Sequence, residues 1–489
     1  MRHSYMRFTT ALAALFCLST LVFATTKSTY AFDSAGTSNP PNIVLIFADD
    51  LGYGDLGCYG EKRWNTPNID SIAKQGVRFT DFHSSQPVCS ASRASLLTGC
   101  YANRIGIHGA LGPSAKNGIH DDEVLLSEML KAQGYKTCAV GKWHLGHHQK
   151  FLPLQHGFDR YLGLPYSNDM WPHGPVVKAG TFPELPLIRG NEIIDADVDA
   201  NDQKRLTQQY SDFALEFLQD SKDSPFFLYF AHSFPHVPLY AGDDFQGKSK
   251  GGIYGDVLEE FDATVGRILT FLAKNQLHEN TLVLFTSDNG PWLTYGQHAG
   301  TAGPLREGKG TVYEGGTRVP LVAMWPGHIP AGSVQDQTAM TIDILPTIAR
   351  ITQSPLPSQP IDGLDILDLL SCKPDAKCPH DAFYHYFRQG ELQAIRSGPW
   401  KLMLPHDAYC IVPDQPGADG KPGKSQIRKI TQPELYHLGN DLGETTNLIN
   451  EQPEVLAQLL KLAEQGRQVL GDSLTKTQGS GVRPSGSIQ

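Results

Sequence analysis

Short apolar runs recur along this chain, and each one stops at a cluster of polar residues. Asn42-Ile-Val-Leu-Ile-Phe-Ala48 meets Asp49-Asp50-Leu51-Gly52, and Lys136-Thr-Cys-Ala-Val140 meets Gly141-Lys142-Trp143-His144. Phe226-Phe-Leu-Tyr-Phe-Ala231 leads into His232, with His236 four residues on, and Thr281-Leu-Val-Leu-Phe-Thr286 leads into Ser287-Asp288-Asn289-Gly290. Runs without polar alternation are expected of parallel strands covered on both faces. Helical signals lie between them. Pro67 suits a first helical position before Ile69 to Lys74, and Gly76 can end that helix. Asp121 to Glu123 precede Val124 to Lys131, with Gly134 as the stop, and Ser211 to Leu218 and Leu258 to Leu272 have helical apolar spacing.

This alternation predicts an α/β fold: a large doubly wound, mixed but mainly parallel sheet flanked by helices. In such sheets ligands collect beyond the carboxyl ends of the strands. Four strand ends carrying Asp, Asn, Lys and His therefore point to one cleft. Ser354-Pro-Leu-Pro-Ser-Gln-Pro360 reads as a surface connection. Beyond it, Phe383 to Arg388, Leu392 to Arg396 and Trp400 to Leu404 read as hairpin strands, and Pro453 to Leu470 as an amphipathic helix. The expected organisation is a large domain over 41–370, a smaller α+β domain with an antiparallel sheet over 371–475, and a loose tail over 476–489.

Composition narrows the function classes. The chain has 489 residues, 41 Lys or Arg and 51 Asp or Glu, for a net charge of −10. With 40% hydrophobic and 19% charged residues, it has material for a buried core and is neither disordered, collagen-like nor a coiled coil. The acidic balance argues against a general nucleic-acid binder, but a few focused cations can still hold a small anion. Arg2, His3 and Arg7 followed by the apolar stretch Phe8 to Ala24 read as an export signal over residues 1–31, cleaved after Ala24 or Ala31. The run is short and broken by Ser and Thr, which disfavours a membrane anchor. An exported protein without stable membrane insertion is expected: periplasmic, secreted or lumenal. Oligomeric state is open.

Of eight Cys, Cys17 lies in the leader, and the seven that remain are an odd number for an oxidising compartment. Cys372 and Cys378 are near enough in sequence to close a small loop, but sequence does not fix the pairing.

Asp49, Asp50, Asp288 and Asn289 are hard oxygen donors suited to calcium or magnesium, with calcium favoured outside the cell. Each pair alone also fits an ordinary turn before Gly; that both end apolar runs favours a cation. Cys89-Ser-Ala-Ser-Arg-Ala-Ser-Leu-Leu-Thr-Gly99 reads as the first turns of a helix that stops at Gly99. A group at Cys89 would face the positive end of that helix, with Arg93 one turn on. A buried Cys or a disulfide half is the plainer alternative. A thiol phosphatase loop would need Arg where Ser95 stands.

Cys89-x-Ala91-Ser92-Arg93-x-Ser95-Leu96-Leu97-Thr98-Gly99 resembles the signature of type I sulfatases, in the alkaline-phosphatase-like superfamily. Asn42 to Asp55, Gly141-Lys-Trp-His-Leu-Gly146, Glu314-Gly-Gly-Thr-Arg-Val-Pro320 and Glu434-Leu-Tyr-His-Leu438 with Asn447-Leu448 match further family motifs. Gly163-Leu-Pro-Tyr-Ser-Asn-Asp169 is similar to the branch holding arylsulfatase A and N-acetylgalactosamine-6-sulfatase.

The resemblance implies that Cys89 is oxidised by a formylglycine-generating enzyme to formylglycine (3-oxoalanine), whose hydrated gem-diol attacks sulfur. It also accounts for the odd cysteine. One Ca2+ would be held by Asp49, Asp50, Asp288, Asn289 and the diol at position 89. Arg93 would hold the diol, and Lys142 and His144 would contact it, with His144 as base. His232 would protonate the leaving oxygen, Lys309 would grip the sulfate, and Ser167 would add a contact. The implied reaction is hydrolysis of an aryl or carbohydrate sulfate through an enzyme sulfate ester. The substrate would be a sulfated small molecule or sulfated carbohydrate. The alternatives are a phosphodiesterase or phosphonate monoester hydrolase of the same superfamily, and a noncatalytic sulfated-glycan-binding protein.

Overall fold

All four apolar runs stand side by side near the centre of one ten-stranded sheet in the computed structural model, which describes Met1 and residues 40–174, 177–178 and 180–488. Apart from Met1, the leader expected over residues 1–31 lies outside the described residues. From one edge the strands are Ser333–Gln335, Val77–Phe79, Leu321–Met324, Thr281–Ser287, Asn42–Ala48, Phe226–Ala231, Lys136–Gly141, Arg160–Gly163, Leu187–Arg189 and Glu192–Asp195. The five from Thr281–Ser287 to Arg160–Gly163 run parallel, and antiparallel strands flank them on both sides. The sheet is thus mixed and mainly parallel, as the alternation of elements predicts. Every residue of Asn42–Ala48, Phe226–Ala231 and Thr281–Ser287 is buried, because helices cover both faces.

The helices are α1 (Pro67–Gln75), α2 (Cys89–Thr98), α3 (Leu126–Ala132), α4 (Ala200–Ser221) and α5 (Gly252–Lys274). Proline sits at the start of α1, where its missing N–H costs nothing. Gly99 closes α2 in the left-handed conformation, φ 69°. Helix α4 extends well beyond the expected Ser211 to Leu218. Its polar first turns are fixed by Asp199, whose side chain accepts from the N–H groups of Asn201 and Asp202. Helix α3 begins at Leu126 rather than Val124, since the Glu128 carboxylate takes the Leu125 N–H at 2.8 Å and sets the start there. Among the described residues no helix is long and apolar enough to cross a membrane.

A four-stranded antiparallel sheet follows, ordered Phe383–Phe387, Glu391–Ser397, Trp400–Met403 and Glu434–His437. Leu459, Ala463 and Leu470 of the helix Pro453–Leu470 close its own small core with Leu392, Ile395 and Leu402. A separate hairpin, His406–Ile411 with Ser425–Ile430, stands beside it. The segment expected to hang as a loose tail is instead held. Arg483 Nε lies 2.7 Å from Glu123, and Gly486–Ser487 pair with Asn117–Gly118. All seven described cysteines are unbridged.

Buried charge ties this second sheet to the first. Lys401, fully buried, lies 2.9 Å from Glu314 and 3.0 Å from Glu444. Arg396 reaches Asp81 at 2.7 Å through Nη1. Removing one partner of such a set strands the others without solvation. Lys401→Met is expected to lower unfolding free energy by about 3–5 kcal/mol, read by urea denaturation, because buried Glu444 loses its counter-ion and Glu314 loses one of its own. A change within about 0.5 kcal/mol, the usual range for an inert surface site, would contradict that role.

Candidate active site

Three strand ends and the start of α2 meet at one point. Asp49 and Asp50 follow Asn42–Ala48, Asp288 and Asn289 follow Thr281–Ser287, Lys142 and His144 follow Lys136–Gly141, and Cys89 opens α2. Strand register does much of this: Ala48 lies opposite Ser287, so the two acidic pairs emerge adjacent. The Asp50 N–H then donates to Asp288 Oδ1 at 3.1 Å, and the Leu51 N–H to Ser287 Oγ at 3.0 Å.

Two glycines permit the close approach. A Cβ on Gly141 would lie 2.0 Å from the Ala231 carbonyl oxygen, and one on Gly290 would lie 1.8 Å from that of Gly315. Asp50 and His144 are themselves left-handed, with φ 62° and 60°. That conformation costs a non-glycine residue about 1–3 kcal/mol and persists where the surroundings fix the side chain's direction.

The side chains interlock. Lys142 Nζ donates to Asp49 Oδ2 at 2.5 Å and to Ser167 Oγ at 3.1 Å. Arg93 grips Asp288 Oδ2 through Nε and Nη2 at 3.2 and 2.9 Å, and its Nη2 lies 3.4 Å from Asp49. Lys309 Nζ lies 2.7 Å from Asp50 Oδ1 and 3.3 Å from Cys89 Sγ. Asn289 Nδ2 donates to Asp50 Oδ1 at 2.8 Å, while its Oδ1 is buried with no partner. Three carboxylates and three cations are thus packed together out of water.

Burial alone would raise Asp49, but Lys142, His236, Arg93 and Lys309 outweigh it and hold the carboxyl well below its ordinary value. Burial and then the charge of Asp49 push Asp288 up. His144 is driven well below the usual histidine value by burial, then by Lys142 and Arg93. Both of its ring nitrogens lack a hydrogen-bond partner.

A cavity of about 240 Å³ opens onto this cluster and is walled by Cys89, His144, Ser167, His236 and Lys309, with Asp169, Trp292 and Phe387 opposite. Arg93, Lys142 and the carboxylates stand behind it. His232 does not reach this wall, so its expected position at the leaving group is corrected. Its ring stacks on Phe261 at 4.3 Å, Nδ1 accepts the Phe234 N–H at 3.0 Å, and burial pulls it down to about 3. His236, four residues on, stands there instead, with Nε2 3.5 Å from Asp50 Oδ2. Burial and Lys309 lower its pKa, but Asp50 and Asp49 outweigh them and the net shift is upward. One sequence signal for it existed: His236 is flanked by Pro235 and Pro238, which stiffen a loop. Asp169 and Trp292 had no such signal.

One ligand atom each from Asp49, Asp50, Cys89 and His236 lie mutually within 4.8 Å. The oxygen donors among the nearby side chains, Asp49, Asp50, Asp288 and the free Asn289 Oδ1, suit a hard cation, whereas Cys89 and His236 are softer ligands. A second close group, Asp81, His83 and Glu314, is already met by Arg396, Arg318 and Lys401.

Comparison with known proteins agrees with this geometry. The family profile described as Sulfatase matches residues 41–354, and that described as the C-terminal region of aryl-sulfatase matches 378–485. The chain is 40% identical over 451 residues to arylsulfatase A of Homo sapiens, covering 87% of each chain. It is 38% identical over 469 residues to N-acetylgalactosamine-6-sulfatase of Rattus norvegicus, covering 89% of this chain and 87% of the relative. The crystal structure of the PsFucS1 sulfatase from Pseudoalteromonas sp. superposes with a TM-score of 0.80 at 28% identity, covering 91% of this chain and 92% of that one.

Arg93→Ala is expected to cost about 3–5 kcal/mol of stability in denaturant unfolding, since it leaves Asp288 and Asp49 buried against each other. Arg93→Lys should recover part of the loss. An alanine variant as stable as the parent would mean that the cluster does not depend on this guanidinium.

Proposed function

This chain belongs to the sulfatase family and is a sulfuric ester hydrolase; we propose that it acts through a formylglycine made from Cys89, beside one calcium ion held by Asp49, Asp50, Asp288 and Asn289. The observation that carries this reading is the position of Cys89. Its sulfur sits at the head of α2, 3.3 Å from Lys309 Nζ and 3.9 Å from Asp49 Oδ1, on the wall of the cavity. When present, the two groups supply a geminal hydroxyl as nucleophile and a Lewis acid for a sulfate oxygen. The unpartnered Asn289 Oδ1 and three carboxylates fit the cation. Without it, three positive side chains merely balance three negative ones, leaving nothing over for an anionic substrate.

The chain's own residues then divide the work. Lys309 and Ser167 bind sulfate oxygens and fix the sulfur in line with position 89, while Lys142, behind the wall, holds Ser167 and Asp49 in place. Arg93 keeps Asp288 and Asp49 aimed at the cation. His144, neutral and without a partner at either nitrogen, takes the proton from the hydroxyl at position 89 when sulfate is expelled. His236 donates the proton that the departing alcohol oxygen needs, a role its place on the cavity wall supports and the stacked, enclosed His232 does not share. The substrate is a sulfated small molecule or sulfated carbohydrate. Maturation requires a formylglycine-generating enzyme.

Mass spectrometry of the tryptic peptide Phe79 to Arg93 should show position 89 with two hydrogens and one sulfur lost and one oxygen gained, and metal analysis one calcium per chain. Cys89→Ala should fold, by circular dichroism, yet turn over aryl sulfate at background. Near-parental turnover would remove the nucleophile. His236→Gln should lower kcat by about 10²–10⁴ on esters of poorly acidic alcohols, the range for a lost general acid. On the same esters His232→Gln should fall less than about tenfold; the reverse order would return the acid role to His232.

A further inference from the structure

A second cavity, of about 380 Å³, adjoins the sulfate pocket and shares two wall residues with it, Asp169 and Trp292. Its other walls include Tyr295, Pro238, Phe182 and Gly420. Whatever leaves the smaller pocket in this direction must pass over Asp169 and Trp292. We propose that this cavity is a subsite for a second sugar ring, so that the enzyme prefers a sulfated di- or oligosaccharide to a sulfated monosaccharide or an aryl sulfate. The proposal rests on the sulfatase reading of the neighbouring pocket.

Asp169 carries the argument. Its Oδ1 is buried and has no hydrogen-bond partner. A buried carboxylate oxygen left unsatisfied costs about 1–3 kcal/mol, more when it is charged, and is met by a donor that arrives with the substrate. A carboxylate repels a further sulfate and cannot pair with an ether or a bare aromatic ring. Hydroxyl or amide N–H donors are what it can accept. Much of the remaining wall is aromatic and apolar, with Lys178 and Thr181 as its polar members: Trp292 and Tyr295 pack edge to face with centroids 4.8 Å apart, and Pro238 and Phe182 line the same cavity. Apolar surface combined with the Asp169 acceptor and the polar side chains of Lys178 and Thr181 matches a pyranose ring, which has a C–H face and a hydroxyl rim.

The subsite is built partly by the C-terminal hairpin. The N–H groups of Gly417 and Gly423, in the loop between His406–Ile411 and Ser425–Ile430, both donate to the Thr294 carbonyl, at 3.1 and 2.6 Å. That pins the loop beside Trp292 and carries Gly420 to the cavity wall. The loop is remote in sequence from every residue of the sulfate pocket, so it can set which substrate fits without entering the chemistry.

The test uses the full-length enzyme with position 89 shown to be converted. Its kcat/KM is measured on hexose monosulfates covering each ring position, on disaccharides with the same sulfated ring at the non-reducing end, and on 4-nitrophenyl sulfate. The parent should favour at least one disaccharide over its monosaccharide by at least tenfold, and Asp169→Ala should erase most of that ratio through KM. Equal rates on each matched pair, a bulky apolar aryl sulfate outpacing every disaccharide, or a full ratio in Asp169→Ala would overturn the subsite while leaving the sulfatase reading intact. Should the converted enzyme release sulfate from none of these esters, the sulfatase reading fails and the subsite with it.

Discussion

Everything in the cleft depends on burying three carboxylates together. Asp49, Asp50 and Asp288 emerge from two neighbouring strands with almost no exposure, and their mutual repulsion in a low-dielectric site would neutralise or expel them if they stood alone. Arg93 and Lys142 are buried with them and Lys309 meets them from the cavity wall, one from α2 and two from loops that follow the sheet strands. Each cation is thereby forced into the cavity's immediate surroundings. The same contacts that make the acidic cluster tolerable bring Lys309 to the cavity wall, with Arg93 and Lys142 behind it. Stability and substrate binding are set here by one arrangement of charge, and Asp49 shows it most plainly: four neighbouring cationic groups outweigh the cost of its burial.

A second buried network holds one of those cations in place. Glu314 meets Lys401 and Arg318, while its N–H donates to Glu444 at 2.7 Å; Arg306 in turn donates to the Glu444 carbonyl at 2.7 Å. Lys309 lies between Arg306 and Glu314 in sequence. Its own N–H is fixed to the Pro291 carbonyl at 3.0 Å, and that of Gly310 to Pro87 at 3.0 Å. The antiparallel sheet supplies Lys401, so the C-terminal part of the chain is a support for the Lys309 loop as well as a cap on the fold. Together with the hairpin loop that reaches Thr294, it touches the cleft from two directions.

Much of this was legible in the sequence. Apolar runs ending in Asp, Lys and Asn identify strands whose ends meet, since a fully buried parallel strand needs no polar alternation and must stop where its polar neighbours begin. The Cys89 segment and the two acidic pairs carried the site with them. Less legible were the short strands Arg160–Gly163, Leu187–Arg189 and Glu192–Asp195. They owe their existence to pairing with a neighbour rather than to a local pattern, and Ile193 and Ile194 stay exposed at the sheet edge. The histidines were misleading for a related reason. His232 follows its strand directly, where a strand-end rule puts function, yet the chain turns there and its ring packs inward on Phe261. The loop's Pro-His-Val-Pro stretch brings His236 back to the cleft, a return that no periodicity reveals. Asp169 and Trp292 become neighbours of one cavity only once loops far apart in sequence have folded over the strand ends.

The two histidines on the cavity wall are set apart by their surroundings. His144 is enclosed and faces Lys142 and Arg93, so burial and like charge both favour the neutral ring, which has one nitrogen free to accept a proton. His236 is just as enclosed, but Asp50 and Asp49 outweigh both burial and Lys309, so its environment favours the protonated ring. Two chemically identical side chains on one wall are thus shifted in opposite directions by their neighbours. The difference comes from the carboxylates rather than from exposure. The acidic cluster that draws in the cations therefore also sets the two imidazoles apart.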